Sequence, residues 1–310
     1  MTAKGPRRSS SGILHGLNPR VVRGFSLGAE AYERARPEYP ATAVQFVART
    51  FDLGPGKIAV DVAAGTGKWT RRLVETGATV IAVEPLPAMR QVFERSVPGI
   101  PVMPGTAEAT GLPNASVDLV TVAQAFHWFS VPLALQEFRR ILRPGGGLAI
   151  IWNVRKEASG WRLLSRRLLD EYRPRSYGHF SGKGWKKAFT PDSGFTRLRV
   201  WRYANEQILD RATIEDRYRS LSFVSAMPRR RQDEFLRRLG KILDHEAARS
   251  HSNEFTIPYD GKVYWSFLRG PAGPKRRLRS LSPIEPIEPF AVEKLLSDLS
   301  KDGRKGLTEF

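Results

Sequence analysis

The segment from Lys57 to Glu84 constrains this chain more than any other. A hydrophobic run from Ile58 to Val62 carries Asp61 and breaks into Ala63-Ala64-Gly65-Thr66-Gly67, and a second run from Thr79 to Val83 ends in Glu84. This reads as strand, glycine-bearing bend, helix, strand. Glycines let backbone approach a ligand where a Cβ would collide, and a helix opening just after them turns unpaired N–H groups toward that ligand. An acid at the tip of the next strand, roughly 20 residues on, is placed to accept hydrogen bonds from a ribose diol. The unit therefore points to a ligand that bears adenosine.

The bend decides which adenosine ligand. A dinucleotide fingerprint wants Gly-x-Gly-x-x-Gly, with the third glycine allowing close helix–strand packing. Here the third position is Thr70 and the first half is alanine-rich, which weakens a nicotinamide site. A phosphate-binding P-loop needs a glycine five residues before Gly67 and Ser or Thr after Lys68. The chain has Val62 and Trp69 at those places.

Alternating strand and helix signals run from 40 to 153, the pattern of a parallel sheet with helices on both faces. After a helix at 41–51, strands are expected at 58–62, 79–84, 100–104, 117–124 and 147–153. Between the last two, Val131, Leu133, Leu135, Phe138 and Ile141 supply the apolar face of a helix that stops at Arg143-Pro144-Gly145. Beyond 153, residues 159–172 read as helix and 173–190 as a stretch rich in glycine, aromatics and bases. Residues 195–203 alternate as a strand, residues 229–250 carry Phe235, Leu236, Leu239, Ile242 and Leu243 on one helical stripe, and 255–267 read as a last strand. Residues 1–24 are expected to be a disordered basic tail. The tail from 269 to 310, with Lys275-Arg276-Arg277 and a Pro-Ile-Glu repeat, is expected to be mostly disordered.

The absence of cysteine excludes disulfides, thiolate nucleophiles and Cys-ligated zinc, and the five histidines show no metal-binding spacing. No metal is expected. No run approaches the roughly 18 apolar residues of a membrane span, so a soluble, cytoplasmic protein without membrane attachment is expected. The net charge of +19 is uneven: residues 51–150 hold nine Lys/Arg against eight Asp/Glu, residues 155–190 ten against three. The excess is open to three readings: a face for an acidic small molecule, a nucleic-acid footprint, or the arginine bias of a GC-rich coding sequence. The five basic and no acidic residues of 1–24 fit an organellar transit peptide as well as a tail.

Four ordered motifs extend the pattern. They are Asp61-x-x-x-Gly65-x-Gly67; Ala82-Val83-Glu84-Pro85; Gly105-Thr106-Ala107-Glu108 with Leu112-Pro113 and Val117-Asp118-Leu119-Val120; and Leu142-Arg143-Pro144-Gly145-Gly146-Gly147. Together they resemble the class I S-adenosylmethionine-dependent methyltransferases. Residues 32–40 (Tyr-Glu-Arg-Ala-Arg-Pro-Glu-Tyr-Pro) and 123–129 (Ala-Gln-Ala-Phe-His-Trp-Phe) bring the likeness nearer to their small-molecule branch of methyltransferase type 11, which includes trans-aconitate-methyltransferase-like proteins. The resemblance covers about residues 25 to 268. It implies an α/β fold: a Rossmann-like, doubly wound seven-stranded sheet, mostly parallel with an antiparallel last strand, and helical lid insertions. Residues 40–153 would be the cofactor-binding core, and 154–268 the lid helices and edge strands.

The resemblance also implies roles. Asp61, Ala63, Gly65 and Gly67 would line the methionine part of S-adenosylmethionine, and Glu84 would take the ribose hydroxyls. Leu86 and Met89 would flank the adenine, or else belong to the core. Thr106, Ala107 and Glu108 would read the adenine edge, although relatives often carry aspartate where Thr106 stands and Glu108 is equally a helix-start acid. Gln124 would touch cofactor and substrate together. His127, beside Trp128, is either a general base or a packing residue. Tyr32, Arg36 and Tyr39 would form a lid, and Arg36, Arg155 or Arg175 would hold an acidic acceptor. The implied activity is methyl transfer to a small molecule, a carboxylic acid or hydroxyl. Two alternatives stay open: methylation of RNA or protein, against which Gln124-Ala125-Phe126-His127 lacks the Asn/Asp-Pro-Pro-aromatic signature, and a non-catalytic cofactor-binding scaffold.

Overall fold

The computed structural model describes residues 19–156, 160–174 and 184–269. The tail beyond 269, most of the basic tail before 19, and Arg175 lie outside the described residues. Seven strands form one sheet: β1 (Ile58–Val62), β2 (Thr79–Val83), β3 (Val102–Met103), β4 (Val117–Ala123), β5 (Leu142–Arg155), β6 (Arg199–Leu209) and β7 (Phe255–Phe267). Their order is β3-β2-β1-β4-β5-β7-β6. The first five are parallel, and β7 slots antiparallel between β5 and β6. This is the mostly parallel seven-stranded sheet with late antiparallel pairing that the motifs imply.

The sheet is buried on both faces because helices cover both. In β1, Ala59 faces Val44, Val47 and Phe51 of helix α3 (Ala41–Phe51). Val60 and Val62, one residue out of phase, join Phe138 and Ile141 of α6 (Val131–Ile141) on the other face. Each such fully buried side chain contributes about 1.5–3 kcal/mol. The alternation also places Asp61 on the α3 side, where α4 (Thr70–Val74) begins. Helix α5 (Pro87–Ser96) follows β2 and packs Phe93 against Ala82.

A second core lies beyond the sheet's edge. Helices α7 (Gly160–Tyr172), α8 (Arg211–Arg219), α9 (Ser222–Ser225) and α10 (Arg229–Ser250) gather Trp161, Leu168, Tyr218, Phe235 and Leu239 around Phe255, Ile257 and Tyr259 of β7. Two N-terminal helices lean on this module: α1 (Pro19–Leu27) against α9 and α2 (Ala29–Ala35) against α8. Ser225 Oγ of α9 donates to the Gly24 carbonyl at 2.6 Å, and Arg34 of α2 pairs with Asp216 of α8 at 2.8 Å.

Several elements differ from the sequence expectation. Helix α1 occupies residues 19–24 of the expected tail. β5 starts at Leu142 rather than 147: Val117 pairs with Leu142 but Leu119 with Gly147, so Arg143 to Gly146 bulge out of the ladder. Pro144 has no N–H to give the ladder, and a bulge is where that is tolerated. β6 runs over 199–209 instead of 195–203, because its register with β7 continues from Arg199↔Trp265 to Leu209↔Phe255. Phe195 makes only an isolated bridge with Leu268. Helices α8 and α9 were not foreseen, although Asp210 caps α8 by accepting from the Thr213 N–H at 2.7 Å. Among the described residues no helix is long and apolar enough to cross a membrane, and no group of three or more His, Asp or Glu is placed to hold a metal.

Candidate functional site

The strand order reverses between β1 and β4, and ligands of doubly wound sheets bind outside the carboxyl ends of the strands at such a point. A cleft of about 670 Å³, open mouth included, lies there. Its floor is made by Ala63 and Gly65 after β1, Glu84 and Pro85 after β2, and Ala123, Gln124 and Ala125 at the end of β4. Leu86 and Met89 from the start of α5 form one wall, with Trp128 and Phe129 opposite. Val22, Phe25 and Tyr32 of α1 and α2 form the roof. Phe25 packs edge-on against both Tyr32 and Trp128, with ring centroids 6.3 and 6.1 Å apart.

Among the described residues Glu84 is the only charged side chain of the cleft lining, and it is 4% exposed. One carboxylate oxygen accepts from the Gly65 N–H and the other from the Leu86 N–H, both at 2.9 Å. The two chain segments that flank the cleft are thus tied to one carboxylate. Each oxygen keeps acceptor capacity for a hydroxyl, which is what a vicinal diol requires. Burial pushes the Glu84 carboxyl up to about 7, opposed by these two hydrogen bonds and by Arg90.

Gly65 and Gly67 have different jobs. Both have positive φ, 60° and 88°. A Cβ on Gly65 would meet no protein atom within 4 Å, so the space above it is open to a ligand. A Cβ on Gly67 would lie 2.4 Å from Val97 Cγ2 and 2.9 Å from the Phe93 ring. Gly67 therefore packs the bend against α5 and does not line the cleft. Of the five non-glycine residues with left-handed backbone among those described, two line the cleft, Ala63 at φ 57° and Gln124 at φ 61°. Such strain costs on the order of 1 kcal/mol per residue and gathers at functional sites.

Asp61 is fully buried beneath the bend and is not part of the cleft lining. Its oxygens accept from Thr70 Oγ1 at 2.6 Å and Thr121 Oγ1 at 3.2 Å. Burial pushes its carboxyl up to about 7, the two threonines oppose the shift, and the nearby Glu84 charge adds to it. Both shifts come mainly from burial, and a cation bound close by would draw the two acids back to their ionised forms.

The pH dependence follows. A carboxyl raised in the folded state contributes stability that is fully present below the ordinary carboxylate range and is lost as pH rises to about 7. A cationic ligand that hydrogen-bonds through ionised Glu84 must have the opposite preference. Affinity for it is therefore expected to rise between pH 6 and 8, with proton release on binding at pH 6. Calorimetry in two buffers of different ionisation enthalpy measures both; a flat affinity with no proton release overturns the assignment.

The residues after β3 do not reach the cleft. Thr106 is held in a bridge with Ala109, Ala107 is buried in the core, and Glu108 accepts from the Ser130 N–H at 2.8 Å, serving the start of α6. The expected adenine-edge contacts of this segment are not brought to the site. His127 also stays out of the cleft lining, its ring lying between Trp128 and Trp152 with centroids 4.6 and 5.2 Å away. Burial lowers it to about 4, so it is neutral at pH 7 and a weak base.

Arg36 and Tyr39 line a separate, smaller chamber of about 340 Å³, open space included, together with Asn153, Arg217 and Tyr259. It meets the cleft at Tyr32 and Gln124, which line both spaces. Tyr39 is mainly a packing residue, edge-on to Trp69 at 5.1 Å. Sequence reasoning missed Val22 and Phe25, whose i, i+3 spacing was a signal hidden by the basic residues around it. It also missed Asn153 and Arg217, for which one asparagine and one arginine among 50 Lys/Arg give no signal.

Residues 60–150 match the family model described as a methyltransferase domain. An uncharacterized methyltransferase of Mycobacterium tuberculosis is 34% identical over 238 residues, which is 76% of this chain and 91% of the relative. An uncharacterized methyltransferase-like protein of Schizosaccharomyces pombe is 32% identical, covering 71% of this chain and 86% of its own length. A protein solved as a candidate type II methyltransferase from Anaeromyxobacter dehalogenans superposes with a TM-score of 0.59 at 24% identity, covering 75% of this chain and 98% of the other. That superposition speaks to the fold.

Proposed function

The chain belongs to the class I S-adenosylmethionine-dependent methyltransferases, and from that premise we propose that it methylates an oxygen of a small molecule. The cleft fits the cofactor: Glu84 offers two acceptors to a ribose diol, Leu86 and Met89 offer an apolar wall to a flat base, and the open space over Gly65 admits a ligand that a side chain would block. The buried Asp61 and Glu84 favour a cationic ligand over a neutral one. When bound, S-adenosylmethionine supplies a methyl group already activated by its sulfonium. An acceptor oxygen would form the O–CH3 bond with its own lone pair and release the sulfur as a neutral thioether, with Glu84, Leu86 and Met89 holding the donor in place.

The protein then has to position the acceptor and keep water away. Phe25, Tyr32 and Trp128 supply an apolar roof for that purpose. The observation that carries the small-molecule reading is the chamber beside Tyr32 and Gln124, whose volume of about 340 Å³, open space included, is on the scale of a small metabolite. Among the described residues its lining contains no Asp, Glu or His. A carboxylate acceptor, already ionised at neutral pH, needs no base, which favours it over a hydroxyl.

Incubation with radiolabelled cofactor and panels of carboxylic acids, phenols, alcohols and amines tests this. Label in acid-extractable ester from a small carboxylic acid is expected; label only in amines, RNA or protein would sink the reading. In the same assay His127→Ala is expected to keep turnover within about threefold and to leave the pH–rate profile unmoved, as for a side chain that takes no proton. Loss of one limb of that profile would restore His127 as the base.

A further inference from the structure

We propose that Arg217, seconded by Arg36, anchors a carboxylate of the acceptor other than the oxygen that receives the methyl group. The inference rests on the small-molecule reading above and adds a recognition site to it. Helix α8 buries Ile214, Arg217 and Tyr218, so Arg217 stands on the core-facing stripe where an apolar residue is the norm. It is 7% exposed, and among the described residues its Nε and Nη1 have no hydrogen-bond partner. The neighbouring carboxylate does not serve it, because Asp216 is engaged by Arg34 at 2.8 Å and Arg219 at 3.1 Å. A buried guanidinium with unpaired donors is costly unless something completes it.

A second cation faces the same space. Arg36 donates to Ser220 Oγ at 3.0 Å and to the Ser220 carbonyl at 3.2 Å, and lies 4.8 Å over the Tyr32 ring, with no carboxylate paired to it among the described residues. Burial and then the charge of Arg217 push its guanidinium down to about 9, which records two like charges held together. The third cation of the chamber, Lys68, is already matched by Glu38 at 2.5 Å and Glu33 at 3.7 Å. Two guanidiniums lining one small chamber, with no carboxylate paired to them among the described residues, are a site for one planar oxyanion, and planar N–H donors suit a carboxylate.

The anchored carboxylate is not the reacting one. Lone pairs engaged by guanidinium are poor nucleophiles, and the chamber adjoins the cleft at Tyr32 and Gln124, which line both. An acceptor that satisfies both spaces carries a carboxylate at one end and a second oxygen nucleophile, hydroxyl or carboxylate, at the other. Hydroxy acids and dicarboxylic acids are that class.

The test titrates the full, cofactor-free chain by calorimetry with succinate, succinamide and inorganic phosphate. Succinate is expected to bind and succinamide not. Arg217→Gln is expected to weaken succinate by about tenfold or more while leaving cofactor affinity unchanged, and Arg230→Gln, on an exposed position of α10, is expected to do nothing. Equal succinate affinity in Arg217→Gln, an equal effect of Arg230→Gln, or phosphate binding more tightly than succinate would overturn the proposal. Should Arg217→Gln fail to fold, the unaltered chain and Arg36→Gln carry the test, and absence of succinate binding to the unaltered chain is decisive against it. The two readings fail separately. Succinate held through Arg217 with no methyl transfer to any acceptor defeats the acceptor assignment, whereas ester formation with an unchanged KM in Arg217→Gln defeats the anchor alone.

Discussion

Glu84→Ala is expected to weaken S-adenosylmethionine binding by roughly 30- to 150-fold, about 2–3 kcal/mol, the cost of losing charge-assisted hydrogen bonds in a buried setting. The side chain does two things at once. It presents acceptors to a diol, and it ties the Gly65 and Leu86 N–H groups together across the cleft. Alanine removes both, so some loss of thermal stability accompanies the loss of affinity. Glu84→Gln separates them, since an amide keeps the shape and one acceptor but has no charge to lose a proton. Its cofactor affinity should be intermediate, with the rise expected between pH 6 and 8 reduced to the contribution of Asp61. Calorimetric titration of the three proteins measures this, and an alanine variant that binds like the unaltered chain would remove Glu84 from the site.

Gly67→Val is expected to unfold or severely destabilise the protein, and Gly67→Ala to cost about 2–5 kcal/mol, summing overpacking of about 1–3 kcal/mol with about 1–2 kcal/mol for left-handed backbone. The clash is internal: Val97 and Phe93 of the α5 region occupy the place of the missing Cβ. Gly65→Ala provides the contrast. Its backbone is equally left-handed, but its Cβ meets nothing, so it should lose only about 1 kcal/mol of stability while losing cofactor affinity. Urea denaturation ranks the pair. A Gly67→Ala variant as stable as Gly65→Ala would refute the division of labour between the two glycines.

Legibility in the sequence followed how local the cause was. Strand β1, helix α3, helix α6, helix α10 and strand β7 were read closely, because each is long or continuous enough for its apolar periodicity to outweigh other signals. The glycine bend and Glu84 were legible for the same reason: spacing along one short segment sets their relation. Gly65 and Gly67 were not separable, since only the arrival of Phe93 and Val97 from α5 tells a packing glycine from a ligand-facing one. His127 and Glu108 were ambiguous in another way. Their chemistry invites a catalytic or ligand role, but the partners that claim them, Trp152 and the Ser130 N–H, come from 25 and 22 residues away. Arg217 was beyond reach altogether, because its burial without a paired carboxylate among the described residues is a property of the assembled fold.

The roof over the cleft has a different owner from its floor. Ala63, Glu84 and Gln124 sit on strand ends and move with the sheet, whereas Phe25 and Tyr32 ride on α1 and α2, which are fastened to α9 and α8 of the outer helical module. The same helices rest on α5 as well, where Val22, Phe25 and Tyr32 pack with Leu86, Met89 and Val92, so the roof bridges the outer module and the sheet. Arg36, at the end of α2, is latched to Ser220 of that module. On the reading proposed above, the cover of the donor and one arginine of the acceptor chamber would therefore share a single support.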